Sequence, residues 1–266
     1  MISQAPTGSL LREWRQRRHL SQLDLAVEAE ISTRHLSFVE TGRARPSREM
    51  LLHLAALLEM PLRERNVLLV SAGFAPVYSE RALDAPELAA ARAAVELVLR
   101  GHEPYPAMAL DRHWNLVIAN QAAQRLLATV AADLLEPPVN MMRLSLHPLG
   151  LGGAIINLEE IRAHMLHRLR RQVASSGDPV LLQLLRELAA LPSSPPADTP
   201  HHDPYAGVFV PLRLRTPLGE LSLFSTMTVF GSPLDVSLSE LALESFFPAD
   251  AASTAILQAM AAQRDA

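Results

Sequence analysis

At 266 residues, with 49% hydrophobic and 20% charged side chains, the chain can bury a core and is too apolar for a disordered protein. It has no cysteine, which excludes disulfides, thiolate metal sites and cysteine nucleophiles and fits a reducing cytoplasm. The formal net charge is -4, yet the first 70 residues carry ten basic against eight acidic side chains and the remainder fourteen against twenty; the positive balance is local to the N-terminal part. All 24 basic residues are arginine, a compositional bias that weakens any argument from Arg identity alone. No apolar run is long enough for a membrane span and MISQAPTGSLLREW lacks a signal pattern, so a cytoplasmic protein with no membrane association is expected.

Five short helices are predicted over residues 1–75. GSLLREWRQRRHL puts Leu10, Leu11, Trp14 and Arg18 near one stripe, and Ser21 then caps SQLDLAVEAE. Leu23, Ala26 and Val27 are the expected buried side of that second helix, with Ala26 small enough for a close crossing. After the turn Ala29-Glu30-Ile31, Ser32 caps ISTRHLSFVETG. Its wheel places Leu36, Val39 and Glu40 on one side and Arg34, Ser37, Phe38 and Thr41 on the other. Ser47 caps REMLLHLAALLEM, Pro61 ends it, and LRERNVLLVSAGF is the fifth helix, stopped by Gly73.

Residues 76–100 are read as a linker and a connecting Ala-rich helix that ends at Gly101. From 101 to 250 the pattern changes. YPAMALDRHWNLVIAN reads as two strands around Asp111-Arg112, followed by one helix, QAAQRLLATVAADLL, capped by Asn120. NLEEIRAHMLHRLRRQVASSGD and PVLLQLLRELAALP are amphipathic helices, and SSPPADTPHHDP is a turn-rich loop. Strand patterns follow in AGVFVPLRLRT, in ELSLFSTMTVF after the TPLGE turn, and in DVSLSELALESFF; the tail 251–266 has helical composition. The second domain is therefore α+β, an antiparallel sheet with helices to one side.

Two short helices with a tight turn, the second polar on its outer side, describe a helix-turn-helix. A major groove about 12 Å wide admits one helix, so small and polar residues near its N-terminus must reach base edges. Thr33, Arg34 and Ser37 are such residues, with Ser32 and His35 beside them, and Arg34 has the fork to take guanine O6 and N7 together. Phe38 suits a thymine methyl or packing on a neighbouring helix. Gln22 is placed to donate to a phosphate, and Arg43, Arg45 and the amides around Ser47 form the opposite phosphate clamp.

SQLDLA…ISTRHLSFVETGRARPS resembles the helix-turn-helix of the Cro and phage-repressor class, the XRE-type regulators, over about residues 8 to 72. Gln22, Ala26, Leu36, Val39, Glu40, Gly42 and Pro46 stand at the expected spacings. The resemblance implies double-stranded DNA with a two-fold operator as partner, a homodimer, and an ion pair between Arg15 and Glu40. It departs at Glu30, where the family usually has glycine; an L-residue in a left-handed turn costs on the order of 1–2 kcal/mol.

The second domain resembles the PAS-like ligand-binding domain of MmyB-like regulators, carried by DRHWNLVIAN, NMMRLSLHPLGLGGAIINLEEIRAHMLHRLRRQ and PLGELSLFSTMTVF. That implies a one-component sensor, and a fatty acyl ligand is what the resemblance suggests. The function expected of the chain is a repressor acting by steric block that responds to an apolar small molecule. From the residues alone, a curved sheet with helices across it leaves a pocket of about 300–1,000 Å³. Met141, Met142, Met165, Phe209, Phe224, Met227 and Phe230 line it or fill it, and Arg143 and His147 are polar groups near that apolar run. No catalytic, metal or nucleotide motif stands out, and His201-His202-Asp203 lacks the support of a metal site. No enzyme activity, metal or cofactor is expected. Two other readings stay open: an antitoxin or scaffold whose second domain binds protein, and a haem- or flavin-bearing sensor.

Overall fold

The computed structural model describes residues 6–192, 209–231 and 233–262. The loop SSPPADTPHHDP with His201, His202 and Asp203, residues 206–208 of the next strand pattern, and the last four residues of the tail lie outside them. The chain divides into two compact units, residues 1–82 with 232–239, and residues 83–231 with 240–266.

The first unit contains α1 (Thr7–Arg17), α2 (Gln22–Glu28), α3 (Thr33–Glu40), α4 (Arg48–Leu57) and α5 (Leu62–Ser71). Side-chain caps define the starts of the middle three. Ser21 Oγ accepts the Asp24 amide at 3.1 Å while Asp24 accepts the Ser21 amide at 2.8 Å, a reciprocal capping box. Ser32 Oγ accepts the His35 amide at 3.1 Å and Ser47 Oγ the Met50 amide at 3.2 Å. Leu11, Leu25, Leu36, Leu51, Leu54 and Leu68 are fully buried in one cluster, each worth about 1.5–3 kcal/mol relative to exposure.

The helix α2 is turned from the expected orientation. Leu25 and Ala26 are buried, whereas Leu23 and Val27 are 60% and 67% exposed. A seven-residue helix with apolar residues around its circumference cannot bury them all. Gln22, Ala26 and Ala29 form the stripe that meets α3, because Gln22 bonds Glu40 there and the two alanines permit close approach. In the turn between them Glu30 has φ 55°, the left-handed conformation that its family resemblance assigns to glycine.

The second unit holds α6 (Ala89–Gly101), β1 (Ala107–Leu110), β2 (Leu116–Ala119), α7 (Gln121–Leu127), α8 (Met141–Leu146), α9 (Leu158–Ser176), α10 (Pro179–Ala189), β3 (Leu212–Thr216) and β4 (Gly219–Val229). β5 (Ala242–Pro248) and α12 (Ala251–Ala262) complete it, after one helical turn, α11 (Val236–Ser239), that belongs to the first unit. All strand pairings are antiparallel, in the order β2-β1-β5-β4-β3. Asn120 caps α7, accepting the Ala123 amide. That helix ends at Leu127 and a 3-10 turn follows over Ala132–Leu135, in place of one continuous helix to residue 135; the break falls at Thr129, whose hydroxyl donates back to the Leu126 carbonyl at 2.7 Å. The strand pattern around residue 210 also starts later, at Leu212.

Residues 233–239 lie between β4 and β5 in the sequence but complete the first unit. Val236 is fully buried and its amide donates to the Ser79 carbonyl at 2.8 Å. Asp235, 6% exposed, accepts from Ser237 N–H at 2.9 Å and lies 3.4 Å from Arg81. The stretch that receives them is itself held to α5 by Asn66, whose side chain accepts the amides of Val77 and Tyr78 and donates to the Tyr78 carbonyl.

Candidate nucleic-acid interface and ligand cavity

In the first unit, α3 is locked on one side and open on the other. Leu36 is 0%, Val39 1% and Glu40 7% exposed. Arg15 grips Glu40 with Nε to Oε1 at 2.6 Å and Nη2 to Oε2 at 2.9 Å, and its third nitrogen donates to the Leu20 carbonyl at 2.8 Å. Gln22 Nε2 donates to Glu40 at 2.7 Å, so the residue placed at a phosphate by sequence is also a strut of this pair. Burial pushes the Glu40 carboxyl up, but the bonds from Arg15 and Gln22 outweigh it and hold it below its ordinary value.

On the open side, Arg34 and Ser32 are exposed, and Thr33, His35, Ser37 and Phe38 are half-buried. The Arg34 guanidinium lies 5.3 Å from the centre of the Phe38 ring, so the aromatic face is partly covered by the cation next to it. The hydroxyl oxygens of Ser32 and Ser47 are engaged as caps on the amides of His35 and Met50. Beyond α3 the chain turns at Gly42, φ 74°, and the amides of Arg43 and Ala44 both return to the Phe38 carbonyl. Arg43 and Arg45 project from this turn, exposed.

One contact had no signal in the hydrophobic pattern. Gly8 on α1 sits so close to the end of α3 that a Cβ would lie 2.3 Å from the Glu40 carbonyl oxygen and 2.5 Å from that of Val39. Glycine here sets the distance between the two helices.

The second unit encloses a cavity of about 130 Å³. Its floor is the sheet: Met108, Leu214, Leu223, Ser225, Glu244 and Phe246. Side chains from α7, α8 and α9 roof it, among them Leu127, Met142, Ile161 and Met165. The volume is below the 300–1,000 Å³ expected and near that of an engineered apolar cavity of about 150 Å³ that takes benzene. The reason is side-chain filling: Met142 and Leu223 are buried to within 1% of full enclosure.

Met141, Met142 and Met165 are on the cavity wall. Phe224 alternates to the opposite face of β4, stacked on Phe247 at 5.3 Å and tilted against Phe209 at the same separation. Met227 packs against the same core without lining the cavity, and Phe230 lies just beyond the end of β4, also outside the lining. Arg143 points outward into a two-pronged pair with Glu187 at 2.7 and 2.8 Å. His147 Nδ1 accepts the Leu149 amide at 3.1 Å, closing a loop. Sequence reasoning missed the polar lining residues His164, Arg168, Ser225 and Glu244. His164 and Arg168 share one face of α9 at i, i+4, a spacing visible in the chain, but nothing local ties them to Glu244 on β5.

Trp114 also lines the cavity and has φ 70°. The turn that imposes this is well tied: Asp111 accepts the amides of His113 and Asn115, each at 2.8 Å, and Trp114 Nε1 donates to Gln172 at 2.8 Å. Nearby, Asp178 caps α10 and accepts from His113 at 3.0 Å. Burial raises its carboxyl, and His113, the Val180 amide and Arg112 together bring it below its ordinary value. Among the described residues no group of three metal-ligating side chains converges and no helix is long and apolar enough to cross a membrane.

Fold and site together define a transcription regulator with a DNA-binding head and a ligand-binding domain. A helix-turn-helix domain model matches residues 8–68. The model of the MmyB-like transcription regulator ligand binding domain matches residues 91–260, more than half of the chain, and the chain belongs to that family. Comparison with curated proteins gave no match. A solved structure described as an RNA-binding Light-Oxygen-Voltage Receptor aligns at 13% identity over 96% of this chain and 61% of that chain, with a TM-score of 0.24, too slight a likeness to carry an argument.

Proposed function

We propose that this regulator binds a two-fold DNA operator as a homodimer in the cytoplasm, acts as a repressor by steric block, and responds to an apolar small molecule held in the cavity of its second unit. In this reading Thr33, Arg34, Ser37 and Phe38 meet base edges, with Ser32 and His35 at the margin. Gln22, Arg43, Arg45 and the amides near Ser47 meet phosphates. The observation that carries it is the two-sidedness of α3: Leu36, Val39 and Glu40 are fixed in the core while Arg34 is exposed and Ser37 half-buried on the other side. A fatty acyl compound is the effector class its family resemblance suggests. A chain much longer than about six carbons exceeds a benzene-sized space, so Met141, Met142 and Met165 must move, as unbranched thioethers do readily. A tenfold change in operator affinity on ligand binding needs only about 1.4 kcal/mol of coupling between the sites.

Selection from random duplex DNA tests this reading. The expected product is a two-fold sequence with half-site centres about 34 Å apart or a multiple of that, bound with altered affinity once co-purifying lipid is extracted. Recovery of no preferred sequence by the full chain would rule it out.

A further inference from the structure

Arg34 and Phe38 stand one turn apart on the outer side of α3, and they touch. The guanidinium lies 5.3 Å from the centre of the phenyl ring, a cation–π contact between i and i+4 neighbours. Arg34 is committed nowhere else: it is exposed and makes no hydrogen bond or ion pair among the described residues. Arg18 on α1, by contrast, has its guanidinium spent on the carbonyls of Leu58 and Glu59 at 2.8 and 2.9 Å. Phe38 is half-buried, yet its ring is not among the described apolar side chains that pack on the core of the first unit. Its backbone is fixed all the same, because the Phe38 carbonyl accepts the amides of Arg43 and Ala44 at 2.8 and 3.1 Å. Thr41, the next residue along this side, is spent, its hydroxyl donating to the Ser37 carbonyl at 2.7 Å.

A guanidinium has one plane and two faces, and the direction of the plane decides what the faces meet. When its fork takes guanine O6 and N7, both hydrogen bonds run in the plane of the base. The faces then look along the stack, toward the base pairs about 3.4 Å above and below. A ring that covers one face is thereby set against the major-groove edge of the adjoining base pair. A phenyl ring has no donor or acceptor to offer a polar edge, and desolvating such an edge is unfavourable. Of the four bases only thymine presents an apolar group there, its C5-methyl.

We propose that Arg34 and Phe38 act as one reading unit for a guanine flanked by a thymine on the adjoining base pair, Arg34 taking the guanine and Phe38 the methyl group. Phe38 also restrains the guanidinium, which reduces the rotamer entropy lost when it meets a base. Two consequences separate this from a pair of independent contacts. The preference for thymine depends on its methyl group alone, and loss of the Phe38 ring weakens selection of the guanine as well. The assignment rests on the reading of α3 as the helix that enters the groove.

The test uses the full chain and the duplex recovered by selection, read by fluorescence anisotropy. Arg34→Ala first locates the guanine, as the position where base preference is lost. In the unmodified protein, replacing the adjoining thymine by uracil removes only a methyl group and is expected to weaken binding about fourfold. Phe38→Ala should abolish the difference between thymine and uracil and reduce discrimination at the guanine. Phe38→Leu keeps an apolar tip without a π face, so it should retain the methyl preference and lose part of the guanine discrimination. A difference between thymine and uracil that survives Phe38→Ala, or none at either base pair beside the guanine, would overturn the role given to the ring. Undiminished guanine discrimination in both Phe38 variants would overturn the joint action. If no position of the selected duplex is relaxed by Arg34→Ala, the assignment fails while the regulator reading stands; if selection returns no preferred sequence, both fail.

Discussion

Arg15 and Glu40 meet through two parallel hydrogen bonds of 2.6 and 2.9 Å in the interior of the first unit, joining α1 to the end of α3. Glu40 has a side-chain exposure of 1%. The pair fixes the recognition helix to the body, and removing one member strands the other in a dry site. Glu40→Ala is expected to destabilise the unit by about 3–5 kcal/mol. The double replacement Arg15→Met with Glu40→Leu should cost much less, since no charge is left unpaired. Urea unfolding followed by circular dichroism measures both.

The same pair predicts a pH dependence. Glu40 titrates below its ordinary value in the folded protein, whereas an unfolded Glu titrates at about 4.3. Its contribution is complete above the unfolded value and is lost as pH falls through the lower folded one. Glu40→Gln should therefore be clearly less stable than the parent at pH 7, and the gap should narrow toward pH 3. Urea midpoints at the two pH values decide it; a constant gap would mean that the carboxylate charge is not what matters.

Arg34 and Arg43 are both exposed arginines near α3 but should fail differently. Arg34→Ala is expected to lose about 1–3 kcal/mol of discrimination at one base pair. Arg43→Ala should weaken all duplexes about equally and reduce the salt slope by about one unit. Fluorescence anisotropy on the selected operator and on scrambled DNA, across a salt series, separates the two outcomes. Identical behaviour of the two variants would undo the division into base and phosphate contacts.

Glu30 occupies a left-handed position at φ 55°, at a cost on the order of 1–2 kcal/mol for an L-residue. Glycine removes that strain but adds about 0.5–1 kcal/mol of chain entropy. Glu30→Gly should raise the stability of the first unit by up to about 1 kcal/mol, read as a higher melting temperature with DNA affinity unchanged.

Gly8→Ala should do the reverse. The new methyl group meets backbone oxygens of Val39 and Glu40, not flexible side-chain ends, so relief requires α1 and α3 to separate. A loss of about 1–3 kcal/mol is expected, with operator affinity falling more than affinity for scrambled DNA.

Much of the fold was legible because its signals are local. Ser21, Ser32 and Ser47 mark helix starts through hydroxyl-to-amide bonds spanning only a few residues. The β1–β2 hairpin announced itself through the polar turn DRH between apolar runs. The Arg15–Glu40 pair came from family resemblance, not periodicity, and the structure contains it. What stayed hidden depends on contacts distant in sequence. The rotation of α2 is set by the bond from Gln22 to Glu40, which no helical wheel of α2 alone contains. Arg168 and Glu244 become neighbours only once β5 is paired between β1 and β4. An Arg on an amphipathic helix and a Glu in a strand both look like solvent-facing residues until that pairing is known.

The stretch around Val236 makes the reading head unlike a detachable module. Cutting the chain after residue 82 removes more than the sensor, because residues 232–239 leave with it. The severed head is left with an open seam along Ser79, where the Val236 amide had docked and its side chain had been fully enclosed. A chimera that grafts this head onto a foreign sensor therefore has to carry the staple too, or accept a head with an unfilled groove.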